Sequence, residues 1–229
     1  MKNLKRTKNV FAGFVSLCLI ACTQNYQDFN ATLKEGVFGF EDANMSAEDI
    51  NKLPYASTNV RIDDGAEVFI VLGLAEPSLK APNHTQLKWV SSDFGMLVTE
   101  NGRLIKTLRL PIDNLVGITP SKHLDPLSIQ GEKPKAHYWQ AKYDWQPEYR
   151  YGYTAEIQWR YMNDETIAAT TWEKTTQYYQ ETVHFPSLNR TITNHFWLDK
   201  STHRVVKSIQ SIGPEMPEVA MTIVKHFNG

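Results

Sequence analysis

Few residues in this 229-residue chain are spaced for chemistry, and the clearest of them is Cys22. It stands directly after Leu19-Ile20-Ala21, at the end of an apolar run. That four-residue pattern resembles a bacterial lipobox, the target of the lipoprotein signal peptidase. Cleavage there makes Cys22 the first residue and the carrier of the lipid, with palmitate among its acyl chains. The carboxylates are less telling. Glu156 and Glu181 fall on neighbouring predicted strands and make a candidate glycosidase-like pair, which needs a separation of roughly 5–10 Å. Asp63-Asp64 before Gly65 reads as a turn, and Ser91-Ser92-Asp93 adds hydroxyls beside an acid without a base in sequence reach. Seven histidines are scattered with no HxxxH or HExxH spacing; His195 and His203 flank a turn but do not make a ligand set. GxSxG, P-loop and GxGxxG patterns are missing. These residues point to no metal, no cofactor and no catalytic centre, hence to a protein that is not an enzyme.

The segment that presents Cys22 has the build of an export signal. Lys2, Lys5, Arg6 and Lys8 form a positive head, and Val10 to Ala21 carries no charge. The run is short of the roughly 20 residues that span a bilayer. A plain signal peptide cut after Ala21 is the alternative. Thr23, where an Asp would suggest inner-membrane retention, directs the expectation to the outer membrane. Residues 1–21 are thus read as signal, 22–45 as a lipidated tether with a short helix, and 46–229 as a single β-rich domain. The signal removes four of 24 basic residues and no acid, so the remainder is more acidic than the −1 of the whole chain and shows no footprint of a nucleic-acid partner. Cys18 leaves with the signal and Cys22 is acylated, which leaves no disulfide.

Two short helices are expected near the start. Tyr26, Phe29 and Leu33 share a helical face within Thr23 to Glu35, and Ser46 can cap a second helix that Pro54 ends. From Val60 onward the pattern is β. Val68 to Leu74 is a continuous apolar run, followed by strands at Leu87 to Ser91 and Met96 to Thr99. Asn101-Gly102 predicts a two-residue hairpin that pairs Glu100 with Arg103 and Val98 with Ile105. Residues 108–136, with four prolines, read as a long loop containing one short strand at Leu115-Val116. Residues 138–197 hold eight of the ten Tyr and five of the six Trp. Within them Tyr149, Tyr151, Tyr153, Ala155, Ile157, Trp159 and Tyr161 alternate with mostly polar residues, which predicts a strand with one aromatic face. A turn at Asn163-Asp164 would set Trp159 opposite Ala168 and Ala155 opposite Trp172. Strands at Thr175 to His184, Thr191 to Leu198, Arg204 to Ile212 and Val219 to Ile223 complete a mainly β chain, an antiparallel barrel-like or sandwich fold. A transmembrane barrel is a further option, since the aromatic strand is long enough.

Several ordered blocks carry a family resemblance. Leu53-Pro54-Tyr55-Ala56-Ser57 precedes Val60-Arg61; then come Trp89-Val90-Ser91-Ser92-Asp93 and Leu97 through Thr107; Phe196-Trp197-Leu198-Asp199, Val205 through Gln210 and Lys225 follow. With the lipobox, these resemble the YjbF/GfcB family of lipoproteins. The resemblance implies a barrel-like body facing the periplasm from the outer membrane, a link to group 4 capsule and exopolysaccharide secretion, and no enzymatic residues. One departure is Leu108-Arg109-Leu110, where the family pattern leads us to expect a glycine after Lys106-Thr107.

The leading expectation is a non-catalytic binding or assembly factor anchored through its N-terminal lipid. Its partners would be other envelope proteins of polysaccharide export, or the polysaccharide itself. A lipid- or glycolipid-carrying barrel and a glycan-modifying hydrolase are the alternatives. Trp89, Asp93, Arg103 and Thr107 form a candidate cluster, ligand-binding or structural, with Arg103 set against Asp93. Tyr149, Tyr151, Tyr153 and Trp159 either fill the core or form a platform for sugar.

Overall fold

A computed structural model describes residues 45–79, 81, 83–92, 94–110 and 113–228. The signal, Cys22, the first predicted helix and Asp93 lie outside these residues. The described chain opens on helix α1 (Ala47–Lys52), capped by the Ser46 side chain, which accepts from the Asp49 amide. The Asp49 carboxylate accepts from the Ser46 hydroxyl at 2.6 Å, so the two side chains close on each other. Leu53 is extended, as the following Pro54 requires.

Twelve antiparallel strands follow, and each pairs with its sequence neighbour except at one point. The strands are β1 (Ser57–Ile62), β2 (Val68–Pro77), β3 (Thr85–Val90), β4 (Met96–Glu100), β5 (Arg103–Leu108) and β6 (Asn114–Lys122). Then come β7 (Ala136–Gln146), β8 (Arg150–Ala169), β9 (Trp172–Phe185), β10 (Arg190–Asp199), β11 (Val205–Ser211) and β12 (Glu218–Lys225). β12 returns to pair with β1, so the sheet runs β5 to β1, then β12 to β6. The two ends of that order, β5 and β6, face each other and nearly close a barrel. The expected barrel-like β architecture is present.

Side chains bridge the seam where the ladder stops. Thr107 Oγ1 accepts from the Leu115 amide at 2.9 Å and donates to Asn114 Oδ1 at 3.2 Å. Asn114 also accepts from the Leu110 amide at 3.1 Å. One Thr and one Asn thus satisfy the Leu115 and Leu110 amides at the seam. Because β6 is an edge strand, it tolerates Pro120. The proline-rich stretch therefore holds a nine-residue strand, longer than the two residues expected.

Three local expectations need correction. The Asn101-Gly102 turn pairs Glu100 with Arg103 as expected, but a register shift between Val98 and Thr99 sets Val98 opposite Lys106 rather than Ile105. β8 does not turn at Asn163-Asp164. It passes through a register shift between Tyr161 and Asn163 and continues to Ala169, where Thr170-Thr171 makes the turn. Trp159 consequently faces Glu181, and Ala155 faces Ala141 across β7. The glycine expected after Thr107 has no counterpart, but Arg109 takes a left-handed φ of 61° there. The turn is kept at the cost of backbone strain.

Large rings fill the barrel. Trp89, Trp139, Tyr143, Trp145 and Phe185 belong to the main buried cluster. Leu127, Trp159, Tyr179, Phe196 and Leu198 form a second. Trp159 and Tyr179 stack at 4.6 Å. This is the arrangement that alternating large residues on neighbouring strands produce when one face is buried.

Candidate functional site

Arg103 sits where the two apolar clusters meet, and it organises the polar interior. It is the first residue of β5, directly after the hairpin turn, and only 2% exposed. Its guanidinium lies over the Trp139 ring at 4.7 Å and over Phe196 at 5.2 Å. Two carboxylates share its fork. Nη1 and Nη2 donate to Glu181 at 2.9 and 2.7 Å. Nε and Nη2 donate to Asp125, the latter at 3.0 Å. Asn194, directly opposite Glu181 on β10, donates to Glu181 Oε1 at 2.9 Å. Burial opposes the charge on Arg103, but the Asp125 and Glu181 carboxylates outweigh it and hold the guanidinium charged well above its ordinary range. The same burial, with the Glu181 charge adding to it, pushes the Tyr143 hydroxyl far up, Arg103 offsetting only part.

The chemical effect is a lock. Asp125 belongs to the segment between β6 and β7, where its Oδ1 also accepts from the Leu127 amide and caps the 3-10 turn Pro126–Ser128. Leu127 enters the second aromatic cluster. The Trp159 indole donates to the Pro134 carbonyl at 3.1 Å, and the Lys133 ammonium donates to the carbonyls of Leu127 and Ile129. Residues 125–134 are thereby held as a plug in one mouth of the barrel.

The plug leaves a pocket of about 420 Å3 between itself and β3, β4, β11 and β12. Leu87, Trp89, Thr99, Ser208 and Met221 line its wall, while the turns at 83–85, 101–102 and 202–204 and the chain's end at His226 and Phe227 form the rim. The Trp89 indole donates to Thr99 Oγ1 at 2.9 Å, and Gln210 donates to Ser208 Oγ at 2.9 Å. His203 and His226 each keep a buried ring nitrogen, Nδ1 and Nε2 respectively, with no partner among the described residues. Burial, with Lys174 and Arg204 adding to it, lowers the pKa of His226. The rim turn is built on Asp199, which accepts from Lys174 and from the Ser201 amide at 2.8 Å and hydroxyl at 2.6 Å. Burial works against that carboxylate's charge, yet these bonds hold its pKa well below the usual range.

The sequence candidates separate. Trp89 lines the pocket, Arg103 is the lock and Thr107 closes the seam, so these three have different tasks. Among the described residues Arg103 pairs with Asp125 and Glu181, 22 and 78 positions away; the partner expected from the sequence, Asp93, lies outside them. The aromatic face divides as well. Trp159 is buried, Tyr153 partly so, and Tyr149 and Tyr151 are 85% and 48% exposed at the opposite end of the barrel from the plug. The four therefore make no flat platform. Glu156 and Glu181 cannot flank one bond. Glu181 faces inward beside Trp159, whereas Glu156 lies between the inward residues Ala155 and Ile157 and points out. The two aromatic clusters and the ion lock fill much of the barrel interior. Sequence reasoning missed Asp125, His226 and an outward stack in which Tyr178 lies 5.0 Å from Trp197, with Lys207 over the indole at 4.9 Å. Its signal was present as alternation: Tyr178, His195 and Trp197 share the outward parity of two paired strands.

Comparisons with known proteins agree with the blocks read from the sequence. A family model described as "Group 4 capsule polysaccharide lipoprotein gfcB, YjbF" matches residues 30–224. The uncharacterized lipoprotein GfcB of Escherichia coli (strain K12) is 30% identical over 211 residues, spanning 92% of this chain and 94% of the relative. The uncharacterized lipoprotein YjbF of the same organism is 28% identical over 216 residues, spanning 93% and 96%. The crystal structure of the hypothetical lipoprotein YmcC from Escherichia coli (K12) superposes with a TM-score of 0.68 at 29% identity, covering 82% of this chain and 92% of that one. This chain belongs to the YjbF/GfcB family of group 4 capsule polysaccharide lipoproteins.

Proposed function

We propose that this lipoprotein assists secretion of a capsular or extracellular polysaccharide as a non-catalytic binding or assembly factor. It is held at the outer membrane by the lipid on Cys22, with its barrel in the periplasm. The observation that carries the non-catalytic reading is how the interior charges are used. Glu181 is spent on Arg103 and Asn194, and Asp125 on Arg103 and the Leu127 amide. A carboxylate so paired is in no position to move a substrate proton. The family match supplies the process. What is left to offer a partner is surface: the pocketed mouth and the outward aromatic stack.

Deletion of the gene tests this reading. Surface polysaccharide is expected to be lost while the polymer continues to be synthesised and accumulates inside the cell. Normal surface polysaccharide in the deletion strain, under conditions that induce its production, would refute it. A Cys22→Ser variant should keep the barrel folded but release it from the membrane fraction. Full secretion by that variant would show that the anchor is dispensable.

A further inference from the structure

We propose that the pocket in the plugged mouth binds an acidic saccharide, one or two sugar units bearing a carboxylate or phosphate. The proposal rests on the secretion reading above and names what the site would hold. Its volume of about 420 Å3 falls within the range of small-ligand sites. The lining is one-sided in charge. It includes His84, Lys133, His203, Arg204, Lys207 and His226, and among its described residues no Asp or Glu, although acids outnumber bases in the chain by 25 to 24.

Several of these bases are already engaged. Lys133 is spent on plug carbonyls, Lys207 sits over Trp197, and His84 faces Glu100 at 3.0 Å. The rim carboxylates are engaged too: Glu100 accepts from Gln86 at 3.1 Å as well as facing His84, and Asp199 is spent on Lys174 and Ser201. That leaves Arg204, exposed at the rim and without a side-chain bond among the described residues, as the free cation. A guanidinium fork fits the planar oxygens of a carboxylate or phosphate. Deeper in, Thr99 and Ser208 accept hydrogen bonds but keep their own hydroxyl protons to donate.

The buried ring nitrogens of His203 and His226 complete the polar set. An orphaned buried polar atom is costly, and a neutral imidazole can either give to or take from a sugar hydroxyl. Between these groups lie Leu87, Trp89, Met221 and Ile223, apolar surface suited to the C–H face of a pyranose. A simple anion would use Arg204 and leave the wall hydroxyls idle. A neutral sugar would leave Arg204 idle.

The full chain, purified in detergent, would be titrated by calorimetry with glucuronate, glucose 1-phosphate, glucose, inorganic phosphate and glycerol 3-phosphate. Glucuronate or glucose 1-phosphate should bind at least tenfold more tightly than glucose and than either non-saccharide phosphate. Arg204→Glu should abolish that binding with an unchanged melting temperature, because the side chain is exposed. Ser208→Ala, a second and milder variant, should weaken it by about threefold to tenfold. The proposal falls if neither acidic sugar binds, if glucose or inorganic phosphate binds as tightly, if glycerol 3-phosphate is preferred, which would indicate a lipid headgroup, or if both variants bind as the parent does. Acidic-sugar binding together with normal capsule in the deletion strain would keep the pocket and remove the secretion role. Lost capsule without binding would do the reverse.

Discussion

One mouth of the barrel is closed by oil and the other by charge. At the end where β7, β9 and β11 finish, Trp145 packs on Phe185 and Tyr143 with ring centroids 5.4 and 5.7 Å away, and its indole donates to the Ile212 carbonyl at 2.6 Å. There is no room beside it: a Cβ on Gly213 would press into the same indole. At the other end a loop is drawn in by Asp125 and held on Arg103, which Glu181 holds in turn. An apolar stopper fills whatever space it is given. An ionic one fixes a loop at a defined place, and the space beside it stays open and polar. The two closures account for why a pocket opens beside the plug.

This contrast can be broken from either side. Arg103→Met leaves two buried carboxylates without a cation and is expected to cost about 3–5 kcal/mol in urea unfolding. Its specific mark is faster hydrogen exchange across residues 125–134. Replacing all three members with apolar residues of similar volume should return most of that stability, because the ion cluster is nearly balanced by its desolvation. Trp145→Ala should cost about 3–5 kcal/mol as well, but without selective deprotection of the plug. If both variants loosened the plug equally, the two ends would be one cooperative unit and the distinction would fail.

Smaller effects sharpen the picture. The Asp199 carboxylate is held below its ordinary range by Lys174 and Ser201 against its burial. The unfolded chain therefore takes up that proton at a higher pH than the folded one. Its stabilisation is complete above about pH 4 and fades as pH falls below the unfolded value. Thermal melts from pH 7 to pH 3 should show a steeper acid loss for the parent than for Asp199→Asn, with the rim turn as the region that opens. The smallest expected effect is a gain. Arg109 is exposed and left-handed, so Arg109→Gly should stabilise by up to about 1 kcal/mol, strain relief exceeding the entropy lost to glycine. No gain in the melting temperature would mean that Arg109 has a local contact worth its strain.

What was legible in the sequence was local. The continuous apolar run Val68 to Leu74 gave β2, Asn101-Gly102 gave the β4–β5 turn, and Ser46 gave the helix start. Errors arose where a strong local signal met a stronger tertiary one. Asn163-Asp164 is a better turn than Thr170-Thr171 by residue type, yet β8 continues because a bulge there lets it keep pairing with β9 for seven more residue pairs. Pro120 argued against a strand, and only the position of β6 at the seam excuses it. The lock was invisible for another reason. Arg103, Asp125 and Glu181 come from three distant segments, and no spacing rule joins them. The pocket was harder still, because its sign comes from which residues are missing from its wall, a property only the closed barrel defines.

The central claim is that the basic mouth is where this protein meets the polymer. Its most direct test is surface polysaccharide in the deletion strain carrying Arg204→Glu at the wild-type protein level. The account predicts the same deficit as an empty vector; restoration to the wild-type amount would contradict it.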